Sequence, residues 1–562
     1  MMTGKVGKLR RQQDRAYAHA LKRAERRDRR SNRSALTPEA VAYARRNRPA
    51  FTKPKPLMPR GYVGEYGGKW GLMPQLATWV SSSVQVPGLH PFAIGSARPA
   101  LGVPLGPDLT NWSLVYCDPI TWFLAGLISN PSAMVFGIPG MGKSSLVTRW
   151  IAGLCDRGYP PLVFGDIKGE HSPLIRELGG DVIEIAPGLH TINPLDLGAL
   201  LDAAKRIVAV GWIPDPNHPD GGKPGEQVAA ELRELALQQA STLIIGLARL
   251  VRGAALADFE ETLIAVATRL VHDRTDAPIL SDLIDLLEEG ALDEGTAIGE
   301  LMAASVSYTR ADYRKAVRRL LQTLRSIVQG PMGVIFNGPT TVQIRVDNPG
   351  GMSVDLAKMR RADKKVLAAV MIATWAHGFS AIDAQWELAM AGLAEFRNPF
   401  VVGDELWKPM SLAPGMAGLI DQLSRTNRTE GIGQVWVTHS PKDAEKLPTH
   451  EDRETALGLA ENAGMVVMFG LAKNAVDALD ETTVSMNAEE RRCVASWRSP
   501  RSFRARRAPN GRPKPPPGAG KALIKVQGAT GIAVQVVLVD EEMSLHDTNE
   551  RWGRRGLRRR GR

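Results

Sequence analysis

An α/β fold, with a parallel sheet interrupted by an all-α insertion, is what this sequence predicts, and three observations predict it. Short apolar runs, mostly bounded by Gly, Pro or Asp, recur at residues 133–136, 162–165, 182–185, 400–402, 434–437 and 465–469, which is how strands buried on both faces read. Helical patterns separate several of them, as connections between parallel strands require. Between about residues 198 and 330 the strand-like runs stop and helical periodicity takes over.

Taken in order, residues 1–52 form a basic tail in which Leu9, Ala16, Tyr17, Ala20, Leu21 and Ala24 recur near helical spacing. Residues 53–125 are a Pro/Gly-rich lead-in with short strands, and the α/β domain occupies 126–198 and 331–500. Its first helix places Leu146, Val147, Trp150, Ile151 and Leu154 on one face and stops at Gly158, ahead of Pro160 and Pro161. The all-α insertion, 199–330, contains a polar loop at 214–225 and a capped helix start at Ser281. Residues 501–562 hold a basic, Pro-rich loop and an Arg-rich end, and "RPKPPPGAGK" at 512–521 reads as a linker or exposed loop.

The 562 residues are 44% apolar and 23% charged, an ordinary globular composition that supports several domains and a large core. The net charge of +12 is unevenly placed. Residues 1–30, 498–514 and 551–562 carry +8, +7 and +7, which leaves −10 for the rest of the chain. Such basic segments fit nucleic acid, an anionic lipid surface or an acidic partner, and charge alone does not choose. Cys117, Cys155 and Cys493 have no metal-ligand spacing and suggest neither a disulfide framework nor zinc, so a reducing, cytoplasmic setting fits. The longest apolar stretch, 366–382, contains Trp375 and His377 and reads as a core helix rather than a membrane span.

"FGIPGMGKSSLVTRW" at 136–150 carries the chemistry. Gly137, Gly140, Gly142, Lys143 and Ser144 complete G-x-x-x-x-G-K-S, placed after a strand-like run and before an amphipathic helix. Glycines let backbone N–H groups turn inward around phosphates, the lysine reaches the terminal phosphate oxygens, and the serine hydroxyl ligates Mg²⁺. The candidate nucleotide contacts are therefore Gly137, Ile138, Pro139, Gly140, Met141, Gly142, Lys143, Ser144 and Ser145, with ATP and Mg²⁺ the expected ligands.

A loop of this kind needs a nearby carboxylate for the metal and a second to orient water. "NPFVVGDELWKPM" supplies Asp404 for the metal, with Ser144, and Glu405 for the water. "GDIKGEHSPLIRELGGDVIEIAPGLHTINPLDLG" at 165–198 puts Asp166 and Glu170 at a strand's carboxyl end, where ligands of open parallel sheets bind. "LSRTNRTEGIGQVWVTHSPKDA" at 423–444 offers Arg425 and Arg428 on a helix, then a strand that ends in Thr438 and His439.

In this order the motifs resemble the conjugative-transfer and type IV secretion ATPases of the TraC and TraG kind, in the wider FtsK/HerA group. The resemblance covers about residues 102–552: the glycine loop, "D-x-K-G-E", "I-N-P-L-D", a helical insertion, the acidic strand end, "R-x-x-R" and a "T-Q"-like strand end. "VIFNGPTT" at 334–341, "SVDLAKM" at 353–359 and "DTNERW" at 547–552 look like further family stretches. His439 stands where relatives usually show Gln, and Thr429 where they show a second basic residue. The large N-terminal domain of the channel-energising ATPases and the membrane anchor of the coupling proteins are expected to be absent or reduced here.

The resemblance implies a RecA-like P-loop NTPase domain in a homo-oligomeric ring, a hexamer, with ATP between subunits. Lys143, Glu405 and His439 would be catalytic, and Arg425 or Arg428 would reach a neighbour's γ-phosphate. The implied function is an ATPase motor that powers DNA or protein transfer through a conjugation or type IV secretion apparatus. Channel proteins of that apparatus would be its partners, DNA would be met through the basic tails, and the location would be cytoplasmic or peripheral at the inner face of the membrane. Two other readings stay open: a soluble double-stranded DNA translocase of the HerA/FtsK type, and an assembly module in which nucleotide only switches conformation.

Overall fold

A computed structural model describes residues 57–58, 61–62, 99–214, 221–292, 297–359, 362–405, 407–412, 414–418, 421, 431–499, 516–526 and 529–545. The basic tail 1–52, most of the lead-in before residue 99, the middle of the 214–225 loop, Arg425, Arg428, Thr429, residues 500–515 and "DTNERW" with the Arg-rich end lie outside these residues. The chain divides into two units, Met1–Ala93 and Ile94–Arg562. In the first, Leu57–Met58 pairs antiparallel with Gly61–Tyr62.

A nine-stranded sheet organises the second unit. In chain order its strands are β1 (Ser132–Phe136), β2 (Pro161–Asp166), β3 (Asp181–Glu184), β4 (Met352–Asp355), β5 (Phe400–Asp404), β6 (Gly433–Thr438), β7 (Met465–Met468), β8 (Lys521–Lys525) and β9 (Ile532–Gln535). Side by side they run β9-β8-β7-β1-β6-β5-β2-β4-β3. From β7 to β3 every pairing is parallel, and β8 and β9 extend the sheet antiparallel beyond β7.

Strand periodicity divides the apolar side chains between two cores. Ala133, Val135, Val163, Phe400, Val402, Val435 and Val437 face one, whereas Met134, Phe136, Leu162, Phe164, Val401 and Trp436 face the other. The first core is closed by α1 (Lys143–Cys155), whose Leu146, Val147, Trp150, Ile151 and Leu154 are fully buried. Each such side chain stabilises the fold by about 1.5–3 kcal/mol relative to exposure.

The second core is closed partly by a long helix, Lys364–Met390, which packs on β2. Among the described residues it is the one helix long and apolar enough to cross a membrane, and 83% of its most apolar window is buried inside the protein. It meets the sheet through aromatic rings: Trp375 donates to the Phe164 carbonyl and stands edge-on to Trp436, with ring centroids 5.9 Å apart. Gly378 allows the approach, because a Cβ there would lie 2.4 Å from the Phe164 ring.

The helical insertion leaves the sheet after β3 and returns before β4. Its helices are α2 (Gly198–Ile207), α3 (Gly225–Arg252), α4 (Asp258–Arg274), α5 (Leu280–Leu292), α6 (Ala297–Ala304) and α7 (Arg310–Gln329). Two quoted motifs close its neck. In "INPLD", the Ile192 amide donates to the Ile335 carbonyl at 2.8 Å and the Asn193 amide to Thr340 Oγ1 at 3.0 Å, both within "VIFNGPTT". Asn193 Nδ2 also donates to the Pro278 carbonyl at 2.7 Å, tying the neck to the start of α5. The neck ties the points of departure and return together, and α2 and α3 also pack along the Lys364–Met390 helix, where Ala384 and Leu388 share a core with Leu200, Val228 and Leu232.

Gly403, just before the acidic strand end, sits under an indole: a Cβ there would lie 2.1 Å from Trp436 Cζ3. Gly403→Ala is expected to destabilise the protein by about 1–3 kcal/mol through overpacking, read as a lower urea midpoint. Trp436→Leu in the same background should recover part of the loss, and an unchanged midpoint in the single variant contradicts this packing.

Candidate active site

Strand order brings the chemical groups together. β6 lies between β1 and β5, and β2 flanks β5. The register sets Thr438 beside Phe136 and Val437 beside Asp404, so the three carboxyl ends finish level. The glycine loop after β1, His439 after β6, Asp404 and Glu405 at the end of β5, and the turn after β2 therefore lie next to one another. That edge of an open parallel sheet is where ligands bind.

Gly140 and Gly142 take φ of 79° and 109°, a region that costs an ordinary L residue about 1–2 kcal/mol. A Cβ on Gly137 would approach the Phe469 Cβ to 2.7 Å. α1 starts directly after Gly142, without a side-chain cap. Its first amides and its positive dipole end are thus left at the loop, a ready site for phosphate.

Lys143 is buried, and its Nζ donates to the Gly137 carbonyl at 2.6 Å. The same Nζ lies 3.1 Å from His439 Nδ1, and His439 Nε2 lies 3.4 Å from Glu405 Oε1. An ammonium can only donate, so Nδ1 accepts and the ring proton sits on Nε2, facing the carboxylate. His439 thereby bridges the loop lysine to Glu405. Lys168 adds a second cation, its Nζ 3.1 Å from Glu405 Oε1 and 3.7 Å from Asp404 Oδ2. On its other oxygen Glu405 accepts from Trp407 Nε1 at 3.0 Å and lies 3.6 Å from Lys408 Nζ. Glu405 itself holds φ 59°, backbone strain of about 1–3 kcal/mol that persists where surrounding contacts over-determine a residue.

The two carboxylates differ in character. Burial raises Asp404 above the ordinary range, with Lys168 opposing and Glu405 adding to the rise. Burial would raise Glu405 too, but the His439 hydrogen bond and the Lys408 and Lys168 charges outweigh it and hold the group well below the carboxylate range. Burial lowers Lys143 to about 8, although Asp404 pulls it back up. Lys168 moves the other way, because Asp404, Glu170 and Glu405 outweigh its burial.

The geometry gathers Lys143, Asp404, Glu405 and His439 in one cluster, with Ser144 and Ser145 on the first turn of α1. Ile138, Pro139 and Met141 lie in the loop, and the Ile138 amide donates to the Gly470 carbonyl at 3.3 Å. Asp166 is used differently from the sequence expectation: its carboxylate accepts from the amides of Glu170, His171 and Ser172 at 3.1, 2.8 and 3.1 Å, so it shapes the turn after β2. The product of that turn is the placement of Lys168, which sequence reasoning quoted without singling out. Its signal was a lysine two residues past a buried strand end. Trp407 and Lys408, beside the acidic pair, were missed likewise. So was the described part of the proline-rich segment, where the Gly520 amide donates to the Met141 carbonyl at 2.8 Å and braces the glycine loop.

The donor set fits a metal-bound polyphosphate. Loop amides and Lys143 match phosphate oxygens, and the Ser144 hydroxyl and Asp404 are hard oxygen ligands of the kind Mg²⁺ takes alongside phosphate and water.

No family model matches the chain, and no curated protein does. Among solved structures, VirB4 of Thermoanaerobacter pseudethanolicus aligns with 80% of this chain and 100% of its own, at TM-score 0.55 and 16% identity. The bacterial conjugative coupling protein TrwBdeltaN70 aligns with 73% of this chain and 86% of its own, at TM-score 0.40 and 14% identity. The likeness to VirB4 is one of fold, and the fold is the RecA-like P-loop architecture interrupted by helices.

The buried ammonium has a consequence for stability. The folded chain releases the Lys143 proton near pH 8 and the unfolded chain near 10.5. Between these values the unfolded state holds more protons, so stability rises with pH there. Below pH 8 the penalty is fully present, roughly 3 kcal/mol for a shift of that size. Lys143→Met is therefore expected to raise the urea midpoint of the nucleotide-free protein at pH 7, with the advantage fading from pH 8 to 10.5. An advantage that is absent at pH 7, or that grows with pH, contradicts the buried charge.

Proposed function

We propose that this chain is a Mg-ATP-driven motor: an ATP hydrolase that powers transfer of DNA or protein through a conjugation or type IV secretion apparatus, working as a hexameric ring. The observation that carries the reading is the convergence of Lys143, His439, Asp404 and Glu405 at the level ends of three adjacent parallel strands. The motif order of the sequence and the VirB4-like fold support it.

In this reading the amides of the glycine loop and Lys143 hold the β- and γ-phosphates, and Ser144 and Asp404 hold the metal. Bound Mg²⁺ supplies charge neutralisation at the phosphates. Lys143 exchanges the Gly137 carbonyl for phosphate oxygens, which returns to the ammonium the counter-charge that burial removed. Glu405, kept anionic by its cations, accepts a hydrogen bond from the attacking water and orients it. His439, with a proton on Nε2, donates toward the water or the γ-phosphate when Glu405 turns to its task. Arg425 or Arg428 stabilises charge on a neighbour's γ-phosphate. The α/β domain is assigned to 126–198 with 331–500 and the insertion to 199–330, the latter contacting substrate or partner. The location is the cytoplasm or the inner face of the membrane, with the basic tails as docking arms.

The test separates binding from turnover. Lys143→Ala should abolish ATP binding, whereas Glu405→Gln should keep Mg-ATP affinity within a few-fold and lose hydrolysis by at least about 100-fold. Hydrolysis that survives both changes removes the site assignment. Hydrolysis absent from the wild-type chain, with or without DNA, removes the motor.

A further inference from the structure

Lys168 reaches the site from the turn after β2 and meets one particular oxygen of each carboxylate. Asp404 uses Oδ1 to accept from the Glu405 amide at 2.9 Å, which leaves Oδ2, 3.7 Å from Lys168 Nζ, as its oxygen for a metal. Glu405 gives Oε2 to Trp407 and Lys408. Its Oε1, which faces His439, lies 3.1 Å from the same Nζ. One ammonium thus spans the two oxygens that the proposed site offers to the metal and to the attacking water.

Burial separates the fixed groups from the movable one. The side chains of Asp404 and Glu405 are 11% and 5% exposed, whereas that of Lys168 is 33% exposed. The backbone beneath it is held by the turn: Gly169 takes φ 67°, and a Cβ there would lie 3.2 Å from Ala357 Cβ and from Asp355 Oδ2. Beyond that fixed turn the ammonium is a compact charge on a flexible four-carbon stem. Lys143 differs, because it is buried and anchored on the Gly137 carbonyl. A third acid belongs to the group. Against the burial of Lys168, Asp404, Glu170 and Glu405 together hold its ammonium in the charged form, and Glu170 Oε2 is buried without a hydrogen-bond partner. Three carboxylates around one monovalent ammonium are a hard-oxygen set that a divalent cation suits better.

We propose that Lys168 is a built-in competitor for the metal: its ammonium takes the place at Asp404 and Glu405 that a divalent cation occupies together with ATP, and so keeps that cation from binding alone. The proposal rests on the motor reading for the identity of the site. Mg²⁺ gives up its waters reluctantly and is usually bound by one or two carboxylates plus substrate phosphates, so carboxylates already neutralised offer it little. ATP brings the missing counter-charge. Its phosphates give the ammonium another partner, Lys168 turns away from the carboxylates, and metal and nucleotide each raise the affinity for the other by the same factor. Lys168 is in this sense a positioning residue, which sets when the metal enters without being a ligand of it.

Mn²⁺ takes the same oxygen ligands, and its free paramagnetic signal falls on binding, so it would be titrated into the full-length, nucleotide-free chain. Lys168→Met is expected to bind Mn²⁺ at least about tenfold more tightly than wild type, the effect of removing a unit charge beside a carboxylate. Lys168→Arg should stay at the wild-type level, and Lys168→Met/Asp404→Asn should lose the gain. Mg-ATP affinity, read by calorimetry, should shift in Lys168→Met by less than the Mn²⁺ affinity does, because the same variant also loses a phosphate partner. A Lys168→Met chain with wild-type Mn²⁺ affinity overturns the proposal, as does a gain that Asp404→Asn leaves intact or that Lys168→Arg shares. Wild type alone also decides: a nucleotide-free chain that binds Mn²⁺ as tightly as the ATP-bound chain leaves Lys168 nothing to exclude and overturns the proposal too. The two readings fail separately. ATP binding by wild type without a Mn²⁺ gain in the variant keeps the motor site and rejects the competitor, whereas a gain in a chain that binds no ATP keeps the competitor and rejects the motor.

Discussion

The register of β1, β6 and β5 is the constraint on which the site depends. Phe136, Thr438 and Asp404 end at one level because seven strands run parallel, and that alignment sets the glycine loop, His439 and Glu405 within hydrogen-bond reach of one another. A slip of one residue would turn every side chain of a strand to the other face. It would also carry Trp436 out from between Gly403 and Trp375, so the packing that stabilises the sheet and the geometry that makes the site share one determinant. The neck formed by "INPLD" and "VIFNGPTT" lets a large helical body emerge between β3 and β4 without disturbing that register.

Electrostatics gives the nucleotide-free site its form. Lys143, Lys168 and Lys408 gather around two carboxylates, with His439 as the hydrogen-bonded link. Each cation is partly desolvated and each has a carboxylate or carbonyl to offset the cost. In the proposed motor a polyphosphate replaces those internal partners: it takes Lys143 from Gly137 and relieves the buried ammonium. The strained φ of Glu405 belongs with this arrangement, since a residue held by Trp407, Lys168, Lys408 and His439 at once has little freedom to relax.

Much of the α/β core was legible because buried parallel strands announce themselves as apolar runs. The runs at 133–136, 162–165, 182–185, 400–402, 434–437 and 465–469 correspond to β1, β2, β3, β5, β6 and β7 within two residues at each end. β4 was seen only as a motif, since Ser353 and Asp355 interrupt its apolar pattern, and β8 and β9 were missed, the first because it begins and ends in lysine. The glycine loop and the acidic pair were legible as local chemistry. Lys168 was not, because its proximity to Glu405 comes from the pairing of β2 with β5, strands more than 200 residues apart. Asp166 misled for the complementary reason: an acid at a strand's carboxyl end reads the same whether it serves a ligand or, as here, the amides of its own turn.

Calorimetric titration of ATP with and without Mg²⁺, on wild type and Asp404→Asn, tests the central claim most directly, because it asks whether the strand ends form one metal–phosphate site. The account predicts that Mg²⁺ tightens ATP binding by wild type, that Asp404→Asn loses about 10- to 100-fold of that metal-dependent gain, and that metal-free ATP binds both chains alike. Equal Mg²⁺ dependence in the two proteins, or no ATP binding by wild type, would contradict it.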